Sequence, residues 1–562
     1  MKRLLSLLVC ITLIGQWAYA EVYSGVEGGI SWNLDTETGV LTLSGRSMSY
    51  NYDSKSIDGH SVTTAPWGNY YTSIKRVDIQ SGVEDIASGA FWGCSSLTSV
   101  TIPSSVTSIR SYAFRGCSSL TSVTIPSSVT SIGSYAFRSC SSLATVLLPS
   151  NSVPTYNPNS WDNVLFIVTD AMFDAYAEDE SWSQVISRIY TNTMYEKEYV
   201  VTVDALPSMS SLHMALGEMN LPYVANLKVK GSINGYDLLI LRNKMIRLRN
   251  LDLSEAEIVA NDGGMEYYTG YKLTKDNELG AYAFYGSQCP LASVKLPNSL
   301  ESIGTYAFSG KAALQEIDLP ESLRTIENYA FSSCSKLMNV SFGNSLQSIG
   351  SYVFDGCFSL QSVTIPVSVT SIGIYAFRDC TSMNEASINA NASISNYSFK
   401  GCGSLNKVLI GNEVTSIGSY AFQSCSSLAE VVIGNGVSSI GSAAFDGCSQ
   451  LTDLSIGQNV TRIDSYAFSG CKSLQQVSLP VGLKTIGSSA FSNCSALTEL
   501  RIPSSVTSIS DYAFSGCNAL TNVYTYLVEP QQIGQNTFST TAFNNAMLNV
   551  PKQSYYNYYY DT

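Results

Sequence analysis

Thiols are the residues of this chain best able to do chemistry. The 562 residues include 14 cysteines but only two histidines, His60 and His213. Twelve cysteines share one phase, at 94, 117 and 140 and again at 334, 357, 380, 402, 425, 448, 471, 494 and 517. A disulfide brings two Cβ atoms to about 3.8 Å. Thiols repeated once per stacked structural unit would instead stand about 5 Å apart with parallel Cβ bonds. The spacing therefore points to a ladder of buried free thiols, because free cysteine packs as a small hydrophobe. Melting should then be indifferent to added reductant. Zinc sites group their ligands as C-x-x-C or with histidine. No such grouping occurs, and no metal or other cofactor is expected.

Other catalytic arrangements are equally poorly supplied. His60, in SIDGHSV, reads as a surface-loop residue, and His213, in SSLHMAL, as one position of a helix. Neither accompanies a G-x-S-x-G nucleophile signature. The acids are scattered, not paired as in glycosidases, and no G-x-x-x-x-G-K or G-x-G-x-x-G follows a strand. The reading is a non-enzyme. A net charge of −13 without a basic run excludes nucleic acid as an expected partner. A hydrophobic fraction of 45% excludes a disordered chain.

The elements that must position these residues come from a repeat. Residues 97–119 read LTSVTIPSSVTSIRSYAFRGCSS and residues 120–142 read LTSVTIPSSVTSIGSYAFRSCSS. A second series opens at Leu291, Leu314, Leu337, Leu360, Met383, Leu405, Leu428, Leu451, Leu474 and Leu497, always 23 residues apart except for 22 after Met383. In the repeat from Leu120, Val123 and Ile125 alternate as in a strand with one face inward. Thr121, Ser122 and Thr124 then face water. Pro126 closes the strand, and Gly343, Gly411, Gly434 and Gly457 mark the same corner in sister repeats. Ile132, Ala136, Phe137 and Cys140 have the spacing of a short helix stripe, with Ser134 as its N-cap and Gly116, Gly356, Gly447, Gly470 and Gly516 near the C-terminal end in sister repeats. One repeat cannot enclose its own apolar residues, whereas stacked repeats can. The expected fold is an α/β solenoid, a right-handed coil with a parallel β ladder on one face and short helices on the other. Ten coils from Leu291 would extend about 50 Å.

The pattern LxxVxIPxxVxxIGxxAFxxCxx resembles the BspA-like leucine-rich repeat family of secreted and surface proteins. The resemblance covers most of residues 74–149 and 279–526. It implies a cell-surface adhesin or protein-recognition scaffold, with host extracellular-matrix proteins or other cells as partners. Departures lie at Cys289 in FYGSQCPLASV, at Lys311 in place of a cysteine, and near residues 389–392, where one residue is missing. A bulge or kink is expected there.

The flanks complete the organisation. Residues 1–20, basic and then apolar with Ala18-Tyr19-Ala20 at the end, read as a signal peptide, so export without a membrane span is expected. Residues 21–73 read as an N-terminal β cap, 74–149 as the first array and 150–195 as a closing cap with a helix from Phe173 towards Trp182. Residues 196–290 read as an atypical opening coil with a polar insertion, 291–526 as the second array and 527–562 as a C-terminal cap. Residues 550–562 align with 168–180 and stop before the equivalent tryptophan, so an incomplete cap is expected.

The strand face carries the candidate ligand site. Its third positions run Ser293, Glu316, Asn339, Ser362, Glu385, Lys407, Glu430, Asp453, Gln476, Glu499 and Asn522. Glu316, Glu385, Lys407, Glu430, Asp453 and Glu499 are the candidate binding residues, by solenoid-face logic. The competing reading is plain solvation of a strand surface. A further alternative is carbohydrate binding on an aligned row of aromatics such as Tyr112, Tyr135 and Tyr420.

Overall fold

The computed structural model describes residues 22–48, 50–148, 151–162, 164–206, 209–261, 275–527 and 533–552. The expected signal peptide, most of the polar insertion and the tail aligned to the first closing cap lie outside the described residues. The chain divides into two compact units, Met1–Glu196 and Lys197–Thr562.

Each unit is a parallel β solenoid. In the first, Val22–Glu27, Ile30–Asp35 and Val40–Gly45 pair antiparallel. From there the sheet turns parallel through Arg76–Ile79 and Ser99–Thr101. Ser122–Thr124, Thr145–Leu148, Leu165–Val168 and Ile189–Thr191 then pair in parallel. In the second unit the parallel series begins with Glu198–Val203, Asn226–Ile233 and Asn250–Ile258, where Leu227 lies opposite Leu251. It continues into the 23-residue coils, so that Val408 faces Val431 and Leu500 faces Val523. A second, shorter ladder, mostly of Ser-Ile or Thr-Ile pairs such as Thr325–Ile326 on Ser348–Ile349, follows the corner of most coils. Every strand in this series borrows its partners from the next coil, which is why no coil is complete alone.

The core is built of columns of like side chains, three of which carry the stack. Phe91, Phe114 and Phe137 stack at 5.0 and 5.1 Å, continued by Trp67 at one end and Trp161 at the other. In the second unit Phe284 to Phe538 form a run with spacings of 4.9 to 5.6 Å. Offset rings at this distance are mutually attractive. The leucines opening each coil form the second column, fully buried at Leu360, Leu405, Leu428 and Leu474.

The third column is the thiol ladder. Thirteen cysteines are free and buried. From Cys117 onward the in-phase thiols donate to the phenylalanine carbonyl of the preceding coil, for example Cys117 Sγ to Phe91 O at 3.2 Å and Cys448 Sγ to Phe422 O at 3.4 Å. That carbonyl already accepts the cysteine N–H of its own coil, as with Phe422 and Cys425 at 3.3 Å. Cysteine therefore fits where alanine would leave a lone pair idle.

The expected short helix is not formed; the segment is a chain of turns. Two positions per coil are left-handed: one most often tyrosine, with φ of 61° at Tyr112 and 60° at Tyr420, and one four residues later, most often glycine, with φ of 75° at Gly116 and 78° at Gly470, but serine at Ser139, Ser333 and Ser424. A left-handed residue ends α-helical winding. The amides then alternate in destination. Ala113 and Arg115 bond back within the coil to Arg110 and Tyr112, whereas Tyr112, Phe114 and Gly116 donate across to Ser134, Ala136 and Arg138 of the next coil. The hydrophobic spacing of a helix survives, but its hydrogen bonds have been redirected along the stack.

The anticipated irregularities also resolve differently. The Met383 coil lacks one residue, yet Glu385–Ile388 and Lys407–Ile410 pair without a shift, and Phe377 stacks on Phe399 at 4.9 Å. The deficit is absorbed at the corner, where Ile394 and Ile417 meet in a single bridge. The register shift that does occur lies between Lys228 and Lys230, in the opening coils. Lys311 takes the cysteine position with its Nζ bonded to the Ser287 carbonyl and hydroxyl at 2.6 and 2.5 Å. Burial depresses its pKa, so the site holds a cation it solvates poorly. Lys311→Cys restores the ladder and should raise stability by on the order of 1 kcal/mol, read as a higher denaturant midpoint.

The two histidines lie in different units. His60 is exposed, but it opens a strand, His60–Thr63, in a hairpin with Ser54–Ile57 rather than sitting in a loop. His213 lies in the helix Ser211–Leu216, its N–H capped by Ser210 Oγ at 3.0 Å. That helix is held by buried Asp237, which accepts from Ser210 Oγ at 2.7 Å and Leu212 N at 2.8 Å. The helix foreseen after Phe173 is Phe173–Glu178, followed by fully buried Trp182.

Candidate recognition face

Outward positions of the strands form a ruled surface in each unit, because side chains alternate along a strand and repeat at the same height in the next coil. In the second unit Glu385, Lys407, Glu430 and Asp453 lie in direct register on neighbouring strands. Lys407 Nζ approaches Glu430 Oε1 at 3.0 Å, so Glu430 is partly neutralised. Asp453 stands beside it, exposed and without an ion-pair partner among the described residues. Like charges on neighbouring strands repel, which concentrates negative potential at this point of the face.

Glu499 lies farther along, paired with Arg501 on its own strand at 2.7 Å. Arg501 also donates to the Tyr526 hydroxyl at 3.1 Å and stands 4.5 Å from the Tyr524 ring centroid. Between Asp453 and Glu499 the surface dips into a depression of about 330 Å³, whose polar lining is Thr452, Asp453, Gln476, Ser478, Glu499 and Arg501. The row read from sequence is thus divided. Asp453 and Glu499 share one depression, Glu385, Lys407 and Glu430 form a charge-alternating strip beside it, and exposed Glu316 belongs to an earlier strand group. The ladder pauses between these groups at residues 338–342, where single bonds from Met338 N to Gln315 O and from Gln361 N to Met338 O carry the stack across.

Sequence reasoning turned the second outward position of the strand, Thr124 in the repeat from Leu120, to water but gave that position no binding role. It is Thr364 and Ser387 in two coils but Leu409, Val432, Arg501 and Tyr524 in others. Departure from the Ser/Thr template was the available signal. A separate cluster in the opening coils was also missed: Lys228 meets Glu255 at 2.6 Å and Asp252 at 3.5 Å, and Lys230 meets Glu255 at 2.8 Å. Burial opposes ionisation of Asp252, but the Ser254 hydroxyl and amide together with Lys228 outweigh it and hold that carboxyl below its ordinary value.

The row of tyrosines suggested by Tyr112, Tyr135 and Tyr420 is real and lies on the turns. Tyr112 and Tyr135 stack at 5.2 Å with a 9° tilt. Tyr282, Tyr306, Tyr329, Tyr352, Tyr375, Tyr397 and Tyr420 stack successively at 4.6 to 5.1 Å. Face-to-face stacking leaves ring edges to solvent. A left-handed tyrosine costs about 1–2 kcal/mol in backbone energy, offset by its amide's bond to the next coil and, in the stacked run, by its ring contacts.

Among the described residues no three or more His, Cys, Asp or Glu side chains gather as a metal site, and no helix is long and apolar enough to cross a membrane. The columns of Leu, Ile, Phe and Cys on parallel coils define a leucine-rich repeat scaffold. The chain belongs to the BspA type leucine rich repeat region family, whose model matches residues 69–167, 277–394, 392–521 and 439–561 in six copies. No curated protein matches the chain. Among solved structures, a leucine-rich repeat protein from Bacteroides ovatus ATCC 8483 is 20% identical over 94% of this chain and 100% of its own, with a TM-score of 0.36. The T. pallidum leucine rich repeat protein is 37% identical over 27% of this chain and 71% of its own, at 0.26. A leucine rich cell surface protein from Faecalibacterium prausnitzii A2-165 is 18% identical over 90% of this chain and 94% of its own, at 0.25. At these scores the likenesses say nothing of what the chain binds.

Proposed function

We propose that this is an exported, cell-surface protein-recognition scaffold of the adhesin type, working through the strand face of its second unit and not as an enzyme. The observation that supports this reading is the open depression between Asp453 and Glu499, polar and acidic on an otherwise regular surface. A rigid face presents many weak contacts in fixed geometry, so little ordering entropy opposes association. The excess of acids over Lys407 along the strip and at Asp453 favours partners with basic surface and steers their approach. The two units, each with its own buried core, are read as separately closed arrays.

The test is binding of the purified protein to immobilised extracellular-matrix proteins. Reversing charge in Glu430→Lys with Asp453→Lys should weaken capture about tenfold at low salt, with the difference shrinking as salt rises. Unchanged capture at low salt would reject the strand-face reading. Along Tyr282–Tyr420 the carbohydrate alternative loses its support, because these rings face one another rather than solvent.

A further inference from the structure

The tyrosine column is interrupted twice near its end. Positions 420, 443, 466, 489 and 512 hold Tyr, Ala, Tyr, Ser and Tyr. The backbone does not notice the change. Ala443 and Ser489 are left-handed with φ of 54° and 56°, as Tyr420, Tyr466 and Tyr512 are at 60° to 61°. The amides of all five donate to the next coil at 2.8 to 3.0 Å. The phenylalanine pitch below continues unbroken through Phe422, Phe445, Phe468, Phe491 and Phe514 at 5.1 to 5.4 Å. Successive tyrosine positions therefore stand two pitches apart, about 10 Å, across each missing ring. Tyr466 and Tyr512 are 51% and 45% exposed in consequence. Ala443 and Ser489, at 4% and 7%, form the floors between them.

The first unit shows what fills such a place. There the position before Tyr112 is Gly89, left-handed and donating to Ser111 O at 3.0 Å in the same pattern. A Cβ at Gly89 would collide with the Tyr52 carbonyl. The vacancy is taken by Trp92 of the same turn, stacked on Tyr112 at 5.1 Å and 8°, with the Arg115 guanidinium 4.9 Å over its ring. Basic side chains cover the tyrosines elsewhere too, at Arg378 and Lys400. Around the two gaps the corresponding turn residues are Gln423, Asp446, Ser469, Ser492 and Ser515, and Asp464 and Asp511 flank the tyrosines. Asp464 meets Arg462 at 3.2 Å. The carboxylates of Asp446 and Asp511 accept only from Gln423 Nε2 and the Gln535 amide among the described residues.

We propose that the gaps at Ala443 and Ser489 are slots for two aromatic side chains of a partner polypeptide that carries basic residues beside them. A ring entering a slot lies about 5 Å from the tyrosine on either side, the spacing at which aromatic pairs attract. The acids supply what Arg115 supplies to Trp92 in mirror image: the partner brings the cation. The two slots are themselves about 10 Å apart, which matches rings three residues apart on a polyproline II segment, about 9.3 Å. This surface is on the turns, separate from the strand face, and the inference does not depend on that face being used.

The probe is the peptide acetyl-Lys-Trp-Pro-Pro-Trp-Lys-amide, titrated against the full chain by isothermal calorimetry, with a control in which leucine replaces both tryptophans. The tryptophan peptide should bind at least about tenfold more tightly, given about 0.5–1.5 kcal/mol per ring pair. Ala443→Tyr with Ser489→Tyr completes the column. It should lower that affinity about tenfold while leaving the melting temperature unchanged or higher. Tyr466→Leu removes the wall common to both slots and should weaken binding similarly, a measurement that stands even if the filled variant misfolds. Equal binding of the two peptides, or full binding by Tyr466→Leu, overturns the proposal. So does a glycan that binds the native chain, is lost in the filled variant and is accompanied by no preference for the tryptophan peptide.

Discussion

Replacing Phe445 by alanine should destabilise the second unit by roughly 3–5 kcal/mol, the range for removing a fully buried aromatic. Its ring is inaccessible to solvent and lies between Phe422 and Phe468 at 5.1 and 5.2 Å. Its carbonyl receives both Cys448 N–H and Cys471 Sγ, so a backbone shift into the cavity breaks bonds in two coils. Because each coil touches only its neighbours, the damage should be local. Amide exchange should accelerate around 422–468 and remain slow around 308–354. Chemical denaturation measures the total and exchange locates it. A cost below about 1 kcal/mol would mean that the ring column is filler and not the main support of the stack.

Alkali should unfold the protein steeply. Burial pushes the Cys94 and Cys334 thiols up to about 12 and holds Cys357, Cys425 and Cys448 well above the ordinary thiol range. The unfolded thiol titrates near 8.5. A folded value above the unfolded one gives stability that is complete below about pH 8.5 and is lost progressively as pH rises towards 12. At pH 10 each such thiol opposes unfolding about 2 kcal/mol less than at pH 8. A few acting together match the roughly 5–15 kcal/mol that holds a typical domain folded. Circular dichroism against pH should show the transition, and Cys425→Ala with Cys448→Ala should move its midpoint upward. A midpoint indifferent to that substitution would place the alkaline lability elsewhere, on tyrosine or lysine. At pH 8 the native thiols should resist alkylation, and melting should be the same with or without reductant.

The repeat period, the inward residues of each strand and the phase of the cysteines were all legible in the sequence, because a 23-residue echo at Val123, Ile125, Phe137 and Cys140 can be buried in few other ways. The turns were not. Ile132, Ala136, Phe137 and Cys140 have the spacing of a helix stripe, and apolar spacing does not report where amides donate. The deciding feature is the left-handed residue at the tyrosine position, held by the bond its amide donates to the next coil, and that bond is a property of neighbouring coils together. The shortened Met383 coil was misjudged for a related reason: core columns fix the register, so the corner takes the deficit. Of the candidate face, the row of third positions was readable, but its division was not. Whether Glu430 stands free depends on Lys407 one coil away, and the depression beside Asp453 depends on Arg501 and Gln476, residues that break no rule by themselves.

Deleting one whole coil, residues 428–450, measures the central claim most directly. If neighbouring coils form one another's walls, the shortened chain joins the coil opened by Leu405 to the coil opened by Leu451 in the same phase. It should fold cooperatively, with the near-identical circular dichroism of a stack one step shorter. Deleting residues 428–439 instead places strand against turn and should leave the second unit unfolded. Equal disruption by both deletions, or equal tolerance of both, would contradict a solenoid whose interior is built coil upon coil.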